Sequence, residues 1–286
     1  MPTADVGAVR MFYLEKGTGQ PIVFVHGIPT DHRAWSGQLE AFSPEYRVVT
    51  YSRRYAAPNT RTGDLLDSTV ENNVKDLVGL LARLKIPSAH VVGHSYGGFI
   101  AAYLAAFHPE LVRSLVLVEP AVSTLLVKDP NSAASLLGLL LRSPSVALSG
   151  NRFLKKGVEA ALKAFDAGNA AEAARLNLDG VEDREGVLRG FPQVVRAMMK
   201  ENARTIREVR APVPRFTRED AGRIRCPTLV LGGGSSPVWL RRIADLMAAS
   251  VPRSKRLSLS GAAHFPHLEN APAFNAALAR FLRDQR

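Results

Sequence analysis

Short apolar runs punctuate the chain at PIVFVHG (21–27), YRVVTYS (46–52), AHVVGHS (89–95), RSLVLVEP (113–120), CPTLVLGG (226–233) and SKRLSLSG (254–261). Each has the length of a β-strand. Those that are apolar throughout are expected to be covered on both faces, as in a parallel sheet. AVRMFYLEKG (8–17) reads as an edge strand. Between the strands the period changes. Val70, Val74, Leu77, Val78 and Leu81 form one stripe at helical spacing, and Phe274, Leu278, Phe281 and Leu282 form another. Alternating strands and helices predict a doubly wound α/β sheet with right-handed crossovers. The alternation stops near residue 121 and resumes near 224. The intervening stretch, with NSAASLLGLLLRS, VEAALKAFDAGNAAEAARLNL and FPQVVRAMMKENARTIREV, is helical in pattern. It predicts a helical cap at 123–222, set between a first core part (1–122) and a second (223–286), over the carboxyl ends of the strands where such sheets bind ligands.

Within this pattern VVGHSYGGFIAAYLAAFHPE carries the clearest chemistry. A strand runs into Gly93-His94-Ser95-Tyr96-Gly97 and a helix follows directly, so G-x-S-x-G stands at a strand–turn–helix junction. A serine on so tight a turn needs neighbours without side chains, which Gly93 and Gly97 supply. At a helix amino terminus Ser95 also meets a dipole that favours developing negative charge. With its strands, its helices and this turn, the chain outside the insertion resembles the alpha/beta-hydrolase family. The resemblance implies the alpha/beta-hydrolase fold, a mostly parallel sheet with helices on both faces, and Ser95 as nucleophile.

VFVHGIPTDHRAW resembles the oxyanion loop of that family. A tetrahedral intermediate needs two N–H donors, and the resemblance assigns them to the backbones of Ile28 and Tyr96, with His26 holding the loop. Trp35 and Tyr96 are expected in the substrate pocket. Of seven histidines, His264 alone lies in the loop between the last strand and the last helix. SLSGAAHFPHLENAP resembles the family's closing segment, with His264 as the general base and His267 as the competitor.

The acid is the difficulty. LVLGGGSSPVW (229–239) ends the strand whose turn supplies the carboxylate in many such enzymes, and it contains none. A carboxylate does end the neighbouring run RSLVLVEP, at Glu119, and its side chain has the length to reach the same imidazole. Haloalkane dehalogenases and certain lactone hydrolases place their acid there. Glu119 also fits a cap carboxylate or an ion pair with Arg53 or Arg54, and Asp245 and Glu269 are rival acids. The family's D-x-x-G-x-G-x-S turn is replaced by YSRRYAAPN, where Arg53 and Arg54 suit structural salt bridges or an acidic substrate.

The bulk numbers narrow the classes further. The 286 residues carry a net charge of +11. The basic excess lies in the second half, scattered, with no run of five and no interleaved aromatic stripe, which argues against a nucleic-acid partner. Cys226 stands alone, so no intramolecular disulfide can form. No stretch reaches the length of a membrane span and no signal-peptide core opens the chain, so a cytoplasmic location is expected. Nothing in the pattern specifies an oligomer.

The expected function is a serine hydrolase for a small apolar carboxylic ester or lactone, acting through an acyl-enzyme without metal or organic cofactor. A carbon–carbon bond hydrolase, or a cofactor-free haloperoxidase-like perhydrolase, would use the same triad. A ligand-binding receptor with little turnover is the alternative from another class.

Overall fold

The computed structural model describes residues 2–285 except 61, 62, 64, 128, 130 and 131. Eight strands form one sheet: β1 (Thr3–Val6), β2 (Val9–Lys16), β3 (Gln20–Val25), β4 (Tyr46–Tyr51), β5 (Ala89–His94), β6 (Val112–Val118), β7 (Thr228–Gly233) and β8 (Ser254–Leu259). Their order is β1-β2-β4-β3-β5-β6-β7-β8. The first two pairings, β1 with β2 and β2 with β4, are antiparallel and the rest are parallel. The apolar runs therefore fall on strands, and β5 and β7 are buried along their whole length. The sequence pattern missed β1. Its four residues alternate between exposed and buried and turn straight into β2 through Gly7, which sits at φ 57°.

The helices of the sheet layers are α1 (Ser36–Phe42), α2 (Val70–Arg83) and α3 (Tyr96–Phe107). Both sheet faces are covered, by two apolar clusters. Phe99, Leu104, Leu240 and Ile243 belong to one, and Trp35, Phe274 and Leu278 to the other.

Between β6 and β7 no strand occurs among the described residues. The segment instead forms α4 (Ala133–Arg142), α5 (Pro144–Arg152), a π-helical turn at Phe153–Glu159, α6 (Ala160–Asp166), α7 (Ala170–Glu182), α8 (Gln193–Glu201), a 3-10 run at Ala203–Arg210 and α9 (Arg218–Ala221). The return begins at a capping box in which Thr217 and Asp220 each accept from the other's backbone N–H. After β7 come α10 (Val238–Ser250), α11 (Pro266–Glu269) and α12 (Ala271–Arg283). Among the described residues no helix is long and apolar enough to cross a membrane.

Within the helical segment α7 crosses the π-helical turn at backbone contact. A Cβ on Gly180 would lie 2.1 Å from the Gly157 Cα. Gly180→Ala must push the two elements apart, at a cost of about 1–3 kcal/mol for an overpacked contact. A urea midpoint lowered to match, with unchanged slope, is the expected reading.

Candidate active site

The sheet register brings the predicted residues together. On β3 and β5, Val25 pairs with Gly93, so the chain leaves both strands side by side at Gly27 and Ser95. A Cβ on Gly27 would stand 2.9 Å from the Ser95 Cβ, a contact only glycine allows. His94 pairs with Val118 and Val118 with Leu231. Ser95 and Glu119 therefore follow the ends of β5 and β6 at the level of Gly232 on β7.

The turn at Ser95 is tight. Ser95 itself adopts φ 52°, ψ −118°, a conformation that stores backbone strain in a residue with a side chain. A Cβ at Gly97 would meet the Val25 carbonyl oxygen at 2.3 Å, and one at Gly93 the Gly97 carbonyl oxygen at the same distance. The Ser95 Oγ lies 3.1 Å from Nε2 of His264. On the other side of that ring, Nδ1 is 3.6 Å from Oε2 of Glu119. This is an ion-pair separation slightly longer than a hydrogen bond, and among the described residues neither atom has a hydrogen bond of ordinary geometry. Such contacts are commonly loose in unliganded sites and tighten around substrate.

The carboxylate-free turn after β7 now makes sense. Oε1 of Glu119 accepts from the Gly233 N–H at 2.8 Å. A Cβ at Gly232 would come within 2.5 Å of that same oxygen, and one at Gly233 within 2.2 Å of the Ala263 carbonyl. The glycines make room for the Glu119 carboxylate and for the loop bearing His264. Burial pushes the Glu119 carboxyl up to about 7, opposed by Ser236, the Gly233 N–H, Arg256 and Arg241. Burial also pushes His264 down, to about 3. Desolvation thus disfavours the charged form of each group separately.

The His264 loop is held from several sides. His94 Nε2 donates to the His264 carbonyl at 2.8 Å. Oε2 of Glu269 accepts the backbone N–H groups of Ala263 at 2.7 Å and Phe265 at 3.1 Å. Glu269, a rival acid in the sequence, is thus engaged with the backbone beside His264. Asp245, the other rival, pairs with Arg256 at the surface at 3.3 Å. His267 is fully buried and stacks on Trp35 with ring centroids 4.2 Å apart.

Trp35 corrects an expectation. It is fully buried under the sheet, against Phe24 and His267, and lines no part of the cavity beside Ser95. The 3-10 turn His32–Trp35, capped by Asp31, aims the indole into the core rather than toward the strand ends. Ile28 and Tyr96 do line that cavity. Among the described residues no backbone carbonyl outside regular elements accepts the N–H of either one. His26 fixes the preceding residues: its Nε2 accepts from the Arg53 N–H at 2.9 Å, so Nδ1 carries the proton donated to the Gly27 carbonyl at 2.8 Å. Burial and the Arg53 charge hold its pKa well below the usual range, keeping the ring neutral.

Arg53 and Arg54 are structural in their contacts. Arg54 grips Asp76 with two hydrogen bonds of 2.8 and 2.9 Å. Arg53 is fully buried, lies 5.0 Å over the Tyr96 ring and pairs with Glu208 at 2.6 Å. That partner comes from the helical segment and was not identified from sequence.

The cavity holds about 720 Å³. Ser95, His264, Ile28 and Tyr96 lie on its wall, and most of the remainder is apolar, from α4, α5 and Trp239. Among the described residues no group of three or more His, Cys, Asp or Glu is placed to hold a metal ion.

The family profile described as alpha/beta hydrolase fold matches residues 20–271. The chain belongs to the alpha/beta hydrolases. A putative non-heme chloroperoxidase from Synechocystis is 32% identical over 138 residues, 46% of this chain. The match spans only 49% of that relative's length. A 3-oxoadipate enol-lactonase from Acinetobacter baylyi is 23% identical over 262 residues, covering 92% of this alpha/beta hydrolase and 88% of the lactonase. Among solved structures, the enol-lactonase from Burkholderia xenovorans LB400 superposes with a TM-score of 0.67 at 21% identity, over 99% of this chain and 100% of the other. That likeness is one of fold.

Proposed function

We propose that this alpha/beta hydrolase cleaves small carboxylic esters or lactones with Ser95, His264 and Glu119 as nucleophile, base and acid. The observation that carries the reading is the 3.1 Å contact between Ser95 Oγ and His264 Nε2 at the wall of an apolar cavity. His264 takes the Ser95 proton as Oγ adds to the carbonyl carbon. The N–H groups of Ile28 and Tyr96 receive the oxyanion. Collapse breaks the acyl–oxygen bond, and His264 returns the proton to the leaving alkoxide. In a lactone that alkoxide stays tethered to the acyl group. Water, deprotonated by His264, then adds to the acyl-enzyme and Ser95 leaves with the proton. Glu119 fixes the imidazole tautomer and offsets its transient charge. The cycle uses no metal or cofactor, and the helical segment acts as a cap that shapes an apolar substrate site.

The enol-lactonase relative is compatible with this choice, since a lactone is an internal ester. The chloroperoxidase name favours a second reading, a perhydrolase in which hydrogen peroxide replaces water at the acyl-enzyme. One experiment tests both. The protein is incubated with nitrophenyl esters of rising chain length and with simple lactones, with and without peroxide. Ester turnover abolished by a serine-reactive phosphonate that labels Ser95 is the expected result. Peracid yield exceeding hydrolysis would select the second reading. Absence of turnover on every ester and lactone, with the phosphonate still bound, would remove the ester and lactone reading and leave a carbon–carbon bond hydrolase or a binding protein.

A further inference from the structure

The cavity beside Ser95 opens between α4, α5 and the chain at 211–213. Leu136, Leu137, Leu140, Leu148, Leu154 and Val213 line it and are also exposed to solvent, so they form its rim. Leu141 continues the rim outward. It lies outside the cavity lining and is 76% exposed, the most open large apolar side chain among the described residues. α4 packs on α5 and buries none of its own residues. A contiguous exposed apolar patch of this kind marks a surface that meets another medium.

The charge around the rim has one sign. Residues 132–158 and 209–217 carry Arg142, Arg152, Lys155, Lys156, Arg210 and Arg215 and no Asp or Glu. Arg142 follows Leu141 directly, and Lys155 and Lys156 follow Leu154. Arg152 is taken by Asp183 at 2.8 Å, and Lys155 reaches Glu159 at 3.7 Å. Arg142, Lys156, Arg210 and Arg215 are exposed and form no ion pair among the described residues.

We infer that this rim docks on an anionic lipid bilayer, from which an ester or lactone with an apolar chain enters the cavity without crossing water. The entry step rests on the hydrolase reading above; the docking does not. The leucines leave water for the acyl boundary while the flanking cations meet the lipid phosphates, the arrangement of an interfacial apolar face with a basic border. A second copy of the chain fits less well. In a two-fold contact the patch meets itself, so each basic border would face the other, and each copy would stand across its partner's cavity.

The test is flotation of the whole protein with vesicles of phosphatidylcholine, and of phosphatidylcholine mixed with phosphatidylglycerol. Binding to the mixed vesicles should exceed binding to the neutral ones by at least about 10-fold. It should fall as salt rises from about 0.1 to 1 M, where the Debye length shrinks from about 10 to 3 Å. Leu141→Glu should weaken binding to the mixed vesicles by about 10-fold or more. Lys155→Gln with Lys156→Gln should weaken it by about 5-fold per cation. Arg253→Gln removes a cation just before β8, at the end of the sheet away from the cavity. It should leave binding within about two-fold. None of these side chains lines the cavity, so turnover of a short soluble nitrophenyl ester should be unchanged in all of them. Equal binding to both kinds of vesicle, binding to neither, or an unchanged affinity in Leu141→Glu would overturn the inference. So would a dimer in solution that Leu141→Glu dissociates while vesicles stay unbound. No turnover of the short ester, with vesicle binding intact, would instead count against the hydrolase reading and leave the docking surface standing.

Discussion

Ser95→Ala is expected to lower kcat on a short nitrophenyl ester by about 10⁵- to 10⁶-fold, with KM little changed. The nucleophile acts with His264 as one unit, so its removal forfeits almost all the rate that the unit supplies. What survives is the contribution of the oxyanion donors and of binding, about 10³- to 10⁴-fold over water. Stopped assays at high enzyme concentration would measure that residue, and labelling by a serine-reactive phosphonate should vanish in parallel. A variant retaining more than a few per cent of the wild-type rate would remove Ser95 from the mechanism. Stability supplies an independent reading. Ser95 holds φ 52°, where a Cβ is unfavourable, so Ser95→Gly should raise the unfolding free energy by about 1 kcal/mol while losing the same activity. Such a divergence is what a functional strained turn predicts and a merely structural one does not.

The sheet was legible because both-face burial writes continuous apolar runs, and β5, β6 and β7 are such runs. Once their order is known, the register alone carries Ser95 and Glu119 to adjacent strand ends. Glu119 stands out as the candidate acid because a carboxylate closing an apolar strand needs a partner; the space that Gly232 and Gly233 leave beside it appears only in the structure. Trp35 was misread because a large aromatic next to the oxyanion loop looks the same in sequence whether it turns outward or into the core. The Arg53 partner escaped for a different reason. Glu208 is 155 residues away, across the helical segment, and no periodicity connects them. The segment LLGLLL reads as helix in the sequence, without showing what its leucines cover. Its pattern is that of a helix packed into a core, yet α4 buries none of its residues; Leu136, Leu137, Leu139 and Leu140 line the cavity and Leu141 is exposed. Hydrophobicity measures a preference for leaving water and does not distinguish protein from ligand as the medium.

Glu119→Gln should lower kcat by a thousand-fold or more, about 10⁴-fold where an amide fixes the wrong imidazole tautomer. Asp245→Asn, at the surface on Arg256, should change the rate less than two-fold, and the reverse outcome would transfer the acid role. The pH dependence makes the assignment sharper. In the proposed mechanism Glu119 acts as the carboxylate, and burial lifts its pKa to about 7, so kcat/KM of the wild-type protein should climb between about pH 6 and pH 8. In Glu119→Gln that limb should be absent from the residual rate. Stability should run the opposite way. A carboxyl whose folded pKa exceeds its unfolded value favours the native state while protonated, and that contribution is lost as pH rises from 4.5 through about 7. The interval corresponds to at most about 3 kcal/mol at 1.36 kcal/mol per pH unit. Glu119→Gln carries no such penalty, so its urea midpoint should gain on the wild type between pH 5 and pH 8.5. The carboxylate that the proposed mechanism needs is thus the form that the fold holds least well, and a variant both more stable in alkali and nearly inactive would show the two demands meeting in one side chain.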